Sequence, residues 1–332
     1  MLSPFPGYVP AGRGPLSSAD AAAYSRRIRD EAGRYQPDQV LERAVADGVI
    51  EPPVGRRLFR YEIRRKGHDT VIGLVGVARA TDLIPHEDTI EESPGHAAPR
   101  VEIRPILAIV EAPLPELSPT GRSVVAIEDD GTEHEVVPVD PRPLPFVDAV
   151  IADGHHRRRA AMATKGGDAT VLTLVVGDRG AGLQAGTFHR VFDRATPLPA
   201  TVGERFEVEP LPSVGVVEGA LVWVEGASGR AFSLRPLPAA AATVHASVRR
   251  SPAALAHVLL YPLLGVTERD ATHTGTWEAA IVDIPRSGGA LLLPDVAVEA
   301  VIAAARAGRL LPPKASRFHP KPLRGMVLRA GD

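Results

Sequence analysis

The chain has 332 residues, no cysteine, 44% hydrophobic and 23% charged residues, and a formal net charge of −2. At about 150 residues per domain this length suggests two domains, each able to bury a core. The missing cysteine excludes disulfides, thiolate metal sites and a cysteine nucleophile, and the near-zero charge argues against wholesale electrostatic binding of nucleic acid.

The first fourteen residues carry proline and glycine where a secretory signal needs a basic start and an apolar stretch. The longest nearly apolar run, Leu255 to Val266, is too short to span a bilayer, so a cytoplasmic protein is expected. Ser17 and Ser18 are capping candidates for a helix that runs from Ala19 to about Ala32, where Gly33 ends it. A second helix is expected from Pro37 to Asp47, stopping at Gly48.

Leu58 to Arg64 alternates apolar and polar residues as a half-buried strand does, Val71 to Val77 is rich in strand formers, and Lys66-Gly67-His68-Asp69 reads as the turn of a hairpin between them. Further strands are expected within Ile103–Val110, Val124–Ile127, His134–Val139, Phe146–Ala152 and Val171–Val176, with a helix over Arg157–Thr164. Pro197-Leu198-Pro199 and Leu211 to Val217 suit linkers into a second region of strand-like and alanine-rich segments. The class is α+β.

The segment Val150-Ile151-Ala152-Asp153-Gly154-His155-His156-Arg157 is the most informative. A buried strand ends at a glycine turn and a helix follows, so backbone N–H groups and a positive helix end face whatever lies above the turn, with His156 and Arg157 as added donors. Spacing alone fits two readings equally: an anion site, or a plain connection in which Asp153 caps the helix. A second cluster, His86-Glu87-Asp88-Thr89, puts a carboxylate beside a histidine, suited to a general base, to a divalent metal or simply to a solvated loop. Rossmann, P-loop, zinc-protease and nucleophile-elbow patterns all fail on glycine, lysine or histidine spacing.

Taken together, Asp153-Gly154-His155-His156-Arg157, His86-Glu87-Asp88-Thr89, Phe188-His189-Arg190-Val191 and the terminal stretch Leu311 to Lys321 resemble the DUF1015 family, in that family's order and over most of the chain from about Leu58. The family is linked to the ParB/sulfiredoxin superfamily, within which His86-Glu87, Arg104-Pro105-Ile106-Leu107 and Val150 to Arg157 resemble, in the same order, elements of the free-serine kinases. Two departures stand out: the family's usual Pro-Pro-Tyr-Asp-Val opening is absent, and Ala315 and His319 alter the terminal motif.

The resemblance implies a helical N-terminal extension over residues 1–54, a ParB/sulfiredoxin-like nucleotide-binding domain over 55–200 and a C-terminal α+β region over 201–332. It implies a kinase that phosphorylates a hydroxyl, best free L-serine, from ATP or ADP with Mg²⁺. Glu87, His86 and Asp153 would be catalytic, Gly154, His155, His156, Arg157 and Thr89 would bind nucleotide, and Asp153 would hold the metal. The partners so implied are a nucleotide and a small amino or hydroxy acid, with a homodimer compatible and neither membrane nor nucleic acid expected.

Sulfinic acid repair is excluded because Gly154-His155 stands where sulfiredoxin needs its cysteine. The non-enzymatic alternatives are a nucleotide-sensing regulator and a ParB-like CTP clamp on DNA, the latter lacking a basic recognition helix downstream of Glu218. The segment Leu311 to Arg324, with prolines between apolar flanks, is expected to fold back on the nucleotide domain.

Overall fold

The computed structural model describes residues 1–332 except 13, 89–99, 147, 195–196, 227, 283, 285–287 and 332. It divides into two units. Unit 1 comprises Met1–Ile84, Glu92–Leu183 and Pro320–Asp332, and unit 2 comprises Pro85–Glu91 and Gln184–His319. These limits differ from the division at residues 54 and 200 expected from the sequence: the chain leaves unit 1 at two places and returns to it.

Unit 1 is built on a mixed nine-stranded sheet of β1 (Leu16–Ser17), β2 (Leu58–Arg64), β3 (Val71–Arg79), β4 (Leu83–Ile84), β5 (Ile106–Ile109), β6 (Val124–Ile127), β7 (Glu133–Val139), β8 (Ala149–Asp153) and β9 (Thr170–Val176). Their order is β1-β6-β7-β2-β3-β9-β5-β8-β4. The expected hairpins form, with Phe59 opposite Val75 and Val136 opposite Val124. In the first, Gly67 takes the positive φ of 76° that the tight turn requires.

The short strands β5 and β8 are buried along nearly their whole length, which is why they read as unbroken apolar runs rather than alternations. Ile106, Ala108 and Ile151 join Leu58, Leu74 and Val175 in the main core. The ladder between β8 and β5 shifts register between Ile151 and Asp153. Such an irregularity re-aims the strand end, and it falls where the informative turn begins.

Helix α1 (Ser18–Ala32) starts where expected, Ser17 Oγ accepting the Asp20 N–H, and α2 (Pro37–Ala46) packs Val40 and Leu41 with Ile28, Ile50 and Leu328. The proline- and glycine-rich start is not a loose extension. Leu2 lies in the main core, and Ser3 exchanges backbone hydrogen bonds with Val77. Helix α3 (His155–Lys165) follows β8 directly.

Unit 2 carries an antiparallel six-stranded sheet of β10 (His189–Phe192), β11 (Phe206–Leu211), β12 (Leu221–Glu225), β13 (Ala231–Pro236), β14 (Ala271–Thr274) and β15 (Gly289–Leu292), in the order β11-β13-β12-β15-β10-β14. Successive side chains of a strand face opposite ways. On β10, Val191 joins Val222, Val224 and Leu292 on one face, and Phe192 meets Trp223 and Tyr261 on the other. A Cβ at Gly289 would stand 2.4 Å from the Trp223 ring, so the indole packs this close to β15 only because that residue has no side chain. Phe192 is fully buried. Phe192→Ala is expected to cost about 3–5 kcal/mol of the stability of unit 2, read as an earlier transition in urea denaturation.

Candidate functional site

The sequence-expected residues fall into two clusters, one in each unit. In unit 1, β8 ends at Asp153 and Gly154 stands at the N-cap of α3 with φ of 112°. Glycine is required there twice over. The backbone is left-handed, and a Cβ would come within 2.9 Å of Arg157 Nη2 and 3.0 Å of the Ile106 side chain. Arg157, one helical turn on, folds back across the glycine and donates to Asp153 Oδ2 at 2.8 Å and to the Arg104 carbonyl at 2.5 Å. The capping role considered for Asp153 is therefore not the one found: among the described residues no side chain caps α3, and the carboxylate turns to cations instead.

Lys321 Nζ donates to Asp153 Oδ1 at 2.6 Å, and Arg104 Nη2 lies 3.8 Å from Oδ2. Burial opposes ionisation of Asp153, but Arg104, Arg157 and Lys321 outweigh it and hold the carboxyl down to about 2. Burial also pulls the Arg157 guanidinium down to about 10 against the attraction of Asp153. Three cations thus surround one anion beside the N-terminus of an eleven-residue helix, a strongly electropositive setting. Arg104 Nε is buried and has no hydrogen-bond partner among the described residues.

Lys321 is held in place by its neighbours. The Leu323 N–H donates to Tyr61 Oη at 2.9 Å, Tyr61 meets His134 Nδ1 at 3.1 Å, and His134 Nε2 meets Glu128 Oε1 at 2.7 Å. Of the other expected residues here, His155 is buried and His156 half-buried in the first turn of α3, and Thr89 lies outside the described residues. The donor set does not suit a protein-held Mg²⁺. Both Asp153 oxygens already accept from cations, Oδ2 from Arg157 and Oδ1 from Lys321.

The second cluster belongs to unit 2. His86, Glu87 and Asp88 run parallel to Leu311, with Leu311 N–H donating to the His86 carbonyl at 2.7 Å and Asp88 N–H to the Leu311 carbonyl at 2.8 Å. Just beyond, Lys314 adopts a left-handed φ of 56°, and the N–H groups of Ala315 and Ser316 that follow it donate to the Glu87 carboxyl. His86 is fully buried, its Nε2 is 2.6 Å from Ser316 Oγ, and its ring meets Phe318 edge-on. His86 thus braces the turn that holds Glu87. Burial raises the Glu87 carboxyl to about 7, with Lys314, the two N–H groups and Arg190 pulling the other way. A carboxyl poised there can take up and release a proton at neutral pH.

Arg190 secures that turn from beneath. Its fully buried guanidinium pairs with Glu268 at 3.0 Å and donates to the Phe188 carbonyl and, at 3.2 Å, to the Pro313 carbonyl. Glu268 also accepts from Tyr261 Oη at 2.8 Å and meets His273 Nε2 at 2.7 Å. Arg190, Lys314 and Ser316 stand in motifs visible in the sequence. Glu268, Tyr261 and His273 carry no local signal, and only the packing of unit 2 brings them to Arg190.

No protein-family model and no curated protein sequence matches the chain. Among solved structures, it is similar to a free serine kinase in complex with AMP, at 15% identity over 77% of this chain and 91% of that one, with a TM-score of 0.43. A conserved hypothetical protein from Pyrococcus furiosus matches at 14% identity over 76% and 93%, with a TM-score of 0.42. SbnI from Staphylococcus aureus, truncated at its C-terminus, matches at 10% over 75% and 85%, with a TM-score of 0.44.

Two substitutions test these environments. Because burial holds the folded-state value of Glu87 above the ordinary carboxyl value of 4.5, its contribution to stability is full below pH 4.5 and is lost as pH rises to about 7. Glu87→Gln is therefore expected to raise the urea midpoint at pH 8 and to leave it unchanged at pH 4. Gly154→Ala should lower it at both pH values by about 1–3 kcal/mol equivalent, through left-handed strain and the clash with Arg157.

Proposed function

We propose that the protein is a nucleotide-dependent kinase of small hydroxyl compounds, built on a ParB/sulfiredoxin-like domain, with free L-serine as the best single substrate. The observation that carries this reading is Glu87, a carboxyl held by two backbone N–H groups and raised by burial to about 7. A serine hydroxyl is a poor nucleophile at neutral pH, and phosphoryl transfer otherwise asks mainly for positioning and charge neutralisation. Glu87 would receive the hydroxyl proton as that oxygen bonds to the terminal phosphorus and the bond from this phosphorus to its bridging oxygen breaks, the nucleotide leaving one phosphate shorter.

The phosphates would be seated at the N-terminus of α3. There the net charge of Arg104, Arg157, Lys321 and Asp153 is positive, and the unpartnered Nε of Arg104 is a donor in waiting. Arg157, committed to closing the turn, serves this seat by shape and charge, and Arg104 takes the donor role that the sequence suggests for Arg157. Mg²⁺ would arrive as part of the nucleotide substrate, bridging phosphate oxygens, since Asp153 is already saturated with cations. A nucleotide-sensing regulator would need the seat alone and would leave the tuned carboxyl of Glu87 without a use.

Calorimetry with ATP, ADP and CTP, each with Mg²⁺, should show preference for an adenine nucleotide, and Arg104→Gln should weaken that binding roughly ten-fold or more. Incubated with serine and the preferred nucleotide, the protein should form O-phosphoserine. Glu87→Gln should cut the rate by about 10²–10⁴ while nucleotide affinity holds. Binding without any phosphorylated product would turn the reading to the regulator, preference for CTP would turn it to the clamp, and no binding of any nucleotide would sink all three.

A further inference from the structure

On β10, Arg190 points toward Glu268 and the 313–316 turn, and its neighbour His189 points to the opposite face of the sheet. There it lines a cavity of about 1040 Å³ that lies wholly within unit 2. His189 is only 7% exposed. The Leu293 N–H donates to its Nδ1 at 3.2 Å, which places the imidazole proton on Nε2, and Nε2 has no partner among the described residues. Burial, with Arg190 and Arg317 nearby, holds the ring below its ordinary value and therefore neutral at pH 7, although Asp295 and Glu278 pull the other way. The cavity is thus offered one fixed, neutral N–H donor from its wall.

The rest of the lining is of three kinds. Leu221, Leu255 and Leu293 give an apolar floor, and Trp277 packs against the core of the sheet and is half-exposed. Glu218, Glu278 and Asp295 supply three exposed carboxylates and Arg250 an exposed guanidinium, while the half-buried Arg249 is bound to the Val244 carbonyl; among the described residues Glu218, Glu278, Asp295 and Arg250 make no hydrogen bond or ion pair. Opposite charges left uncommitted around an apolar floor, with an indole beside the acids, suit a ligand carrying both signs.

We propose that this cavity binds a small zwitterion with an apolar side chain, its ammonium group facing Asp295, Glu278 and the Trp277 ring. Its carboxylate faces Arg250 and the His189 Nε2–H, and its side chain lies on the leucines. The site stands apart from the cluster at Glu87 and does not rest on the kinase reading.

The chain has two tryptophans, so the wild-type protein gives two indole N–H signals in a ¹H–¹⁵N spectrum, and Trp277→Phe assigns them. Trp223, buried in the sheet, is the internal control for the fold. L-Leucine is the probe, with 4-methylpentanoate lacking the amine and 3-methylbutylamine lacking the carboxylate. The expected result is a saturable shift of the Trp277 signal with leucine and not with either control. That shift should weaken roughly ten-fold in Asp295→Asn and in Arg250→Gln and be unchanged in Glu87→Gln. No shift with leucine, equal shifts with all three probes, or titrations indifferent to Asp295 and Arg250 would each overturn the proposal. Loss of the response in Glu87→Gln would do so too, by returning the ligand to the other cluster.

Discussion

Asp153 can stay ionised under burial only because Arg104, Arg157 and Lys321 surround it, and much of unit 1 is arranged around that requirement. Each cation comes from a different stretch: Arg104 just before β5, Arg157 from the first turn of α3, Lys321 from the returning C-terminal residues. Removing any one would leave charge buried with less compensation, which costs far more than the pair contributes in water. The carboxylate fixes three segments at one point, and the point is the end of a buried strand where a glycine opens a helix.

Glu87 answers the same problem differently. Its compensation is led by the Lys314 charge acting through space, followed by the Ser316 N–H, the Arg190 charge and the Ala315 N–H, and burial prevails. Two carboxyls in one chain are pushed to opposite ends of their range, one toward 2 and one toward 7, by the number and closeness of the cations beside them. Divergence of this kind is what separates a structural or electrostatic carboxylate from one able to move protons. Arg190 contributes to the second environment mainly by position. Its ion pair with Glu268 satisfies its charge, leaving a third bond to secure the carbonyl of Pro313.

Local pattern made much of this legible. The caps at Ser17 and Gly33, the hairpin turn at Gly67 and the strand-turn-helix at Asp153 are short-range events, and each appears within a residue or two of its expected place. What sequence could not show was set by distant packing. That Arg157 turns inward depends on the Arg104 carbonyl, and that Leu2 belongs to the core of unit 1 depends on Gly76, where a Cβ would meet Leu2 at 2.7 Å. The division into units escaped it for a related reason. Pro/Gly-rich stretches mark turns, whereas unit limits are set by which segments return to which sheet.

That return bears on how the protein is made. Unit 1 is assembled from segments on either side of unit 2, and Arg329, which pairs with Glu102 at 2.8 Å and with Thr170, belongs to the last of them. A ribosome releases Gln184–His319 before it releases Lys321 or Arg329. Through that interval Asp153 and Glu102 have been synthesised while some of their counterions have not. The nine strands of the unit 1 sheet are all made by then, but the ion pairs that tie Asp153 and Glu102 to the C-terminal residues are not, so the unit begun first is the one finished last.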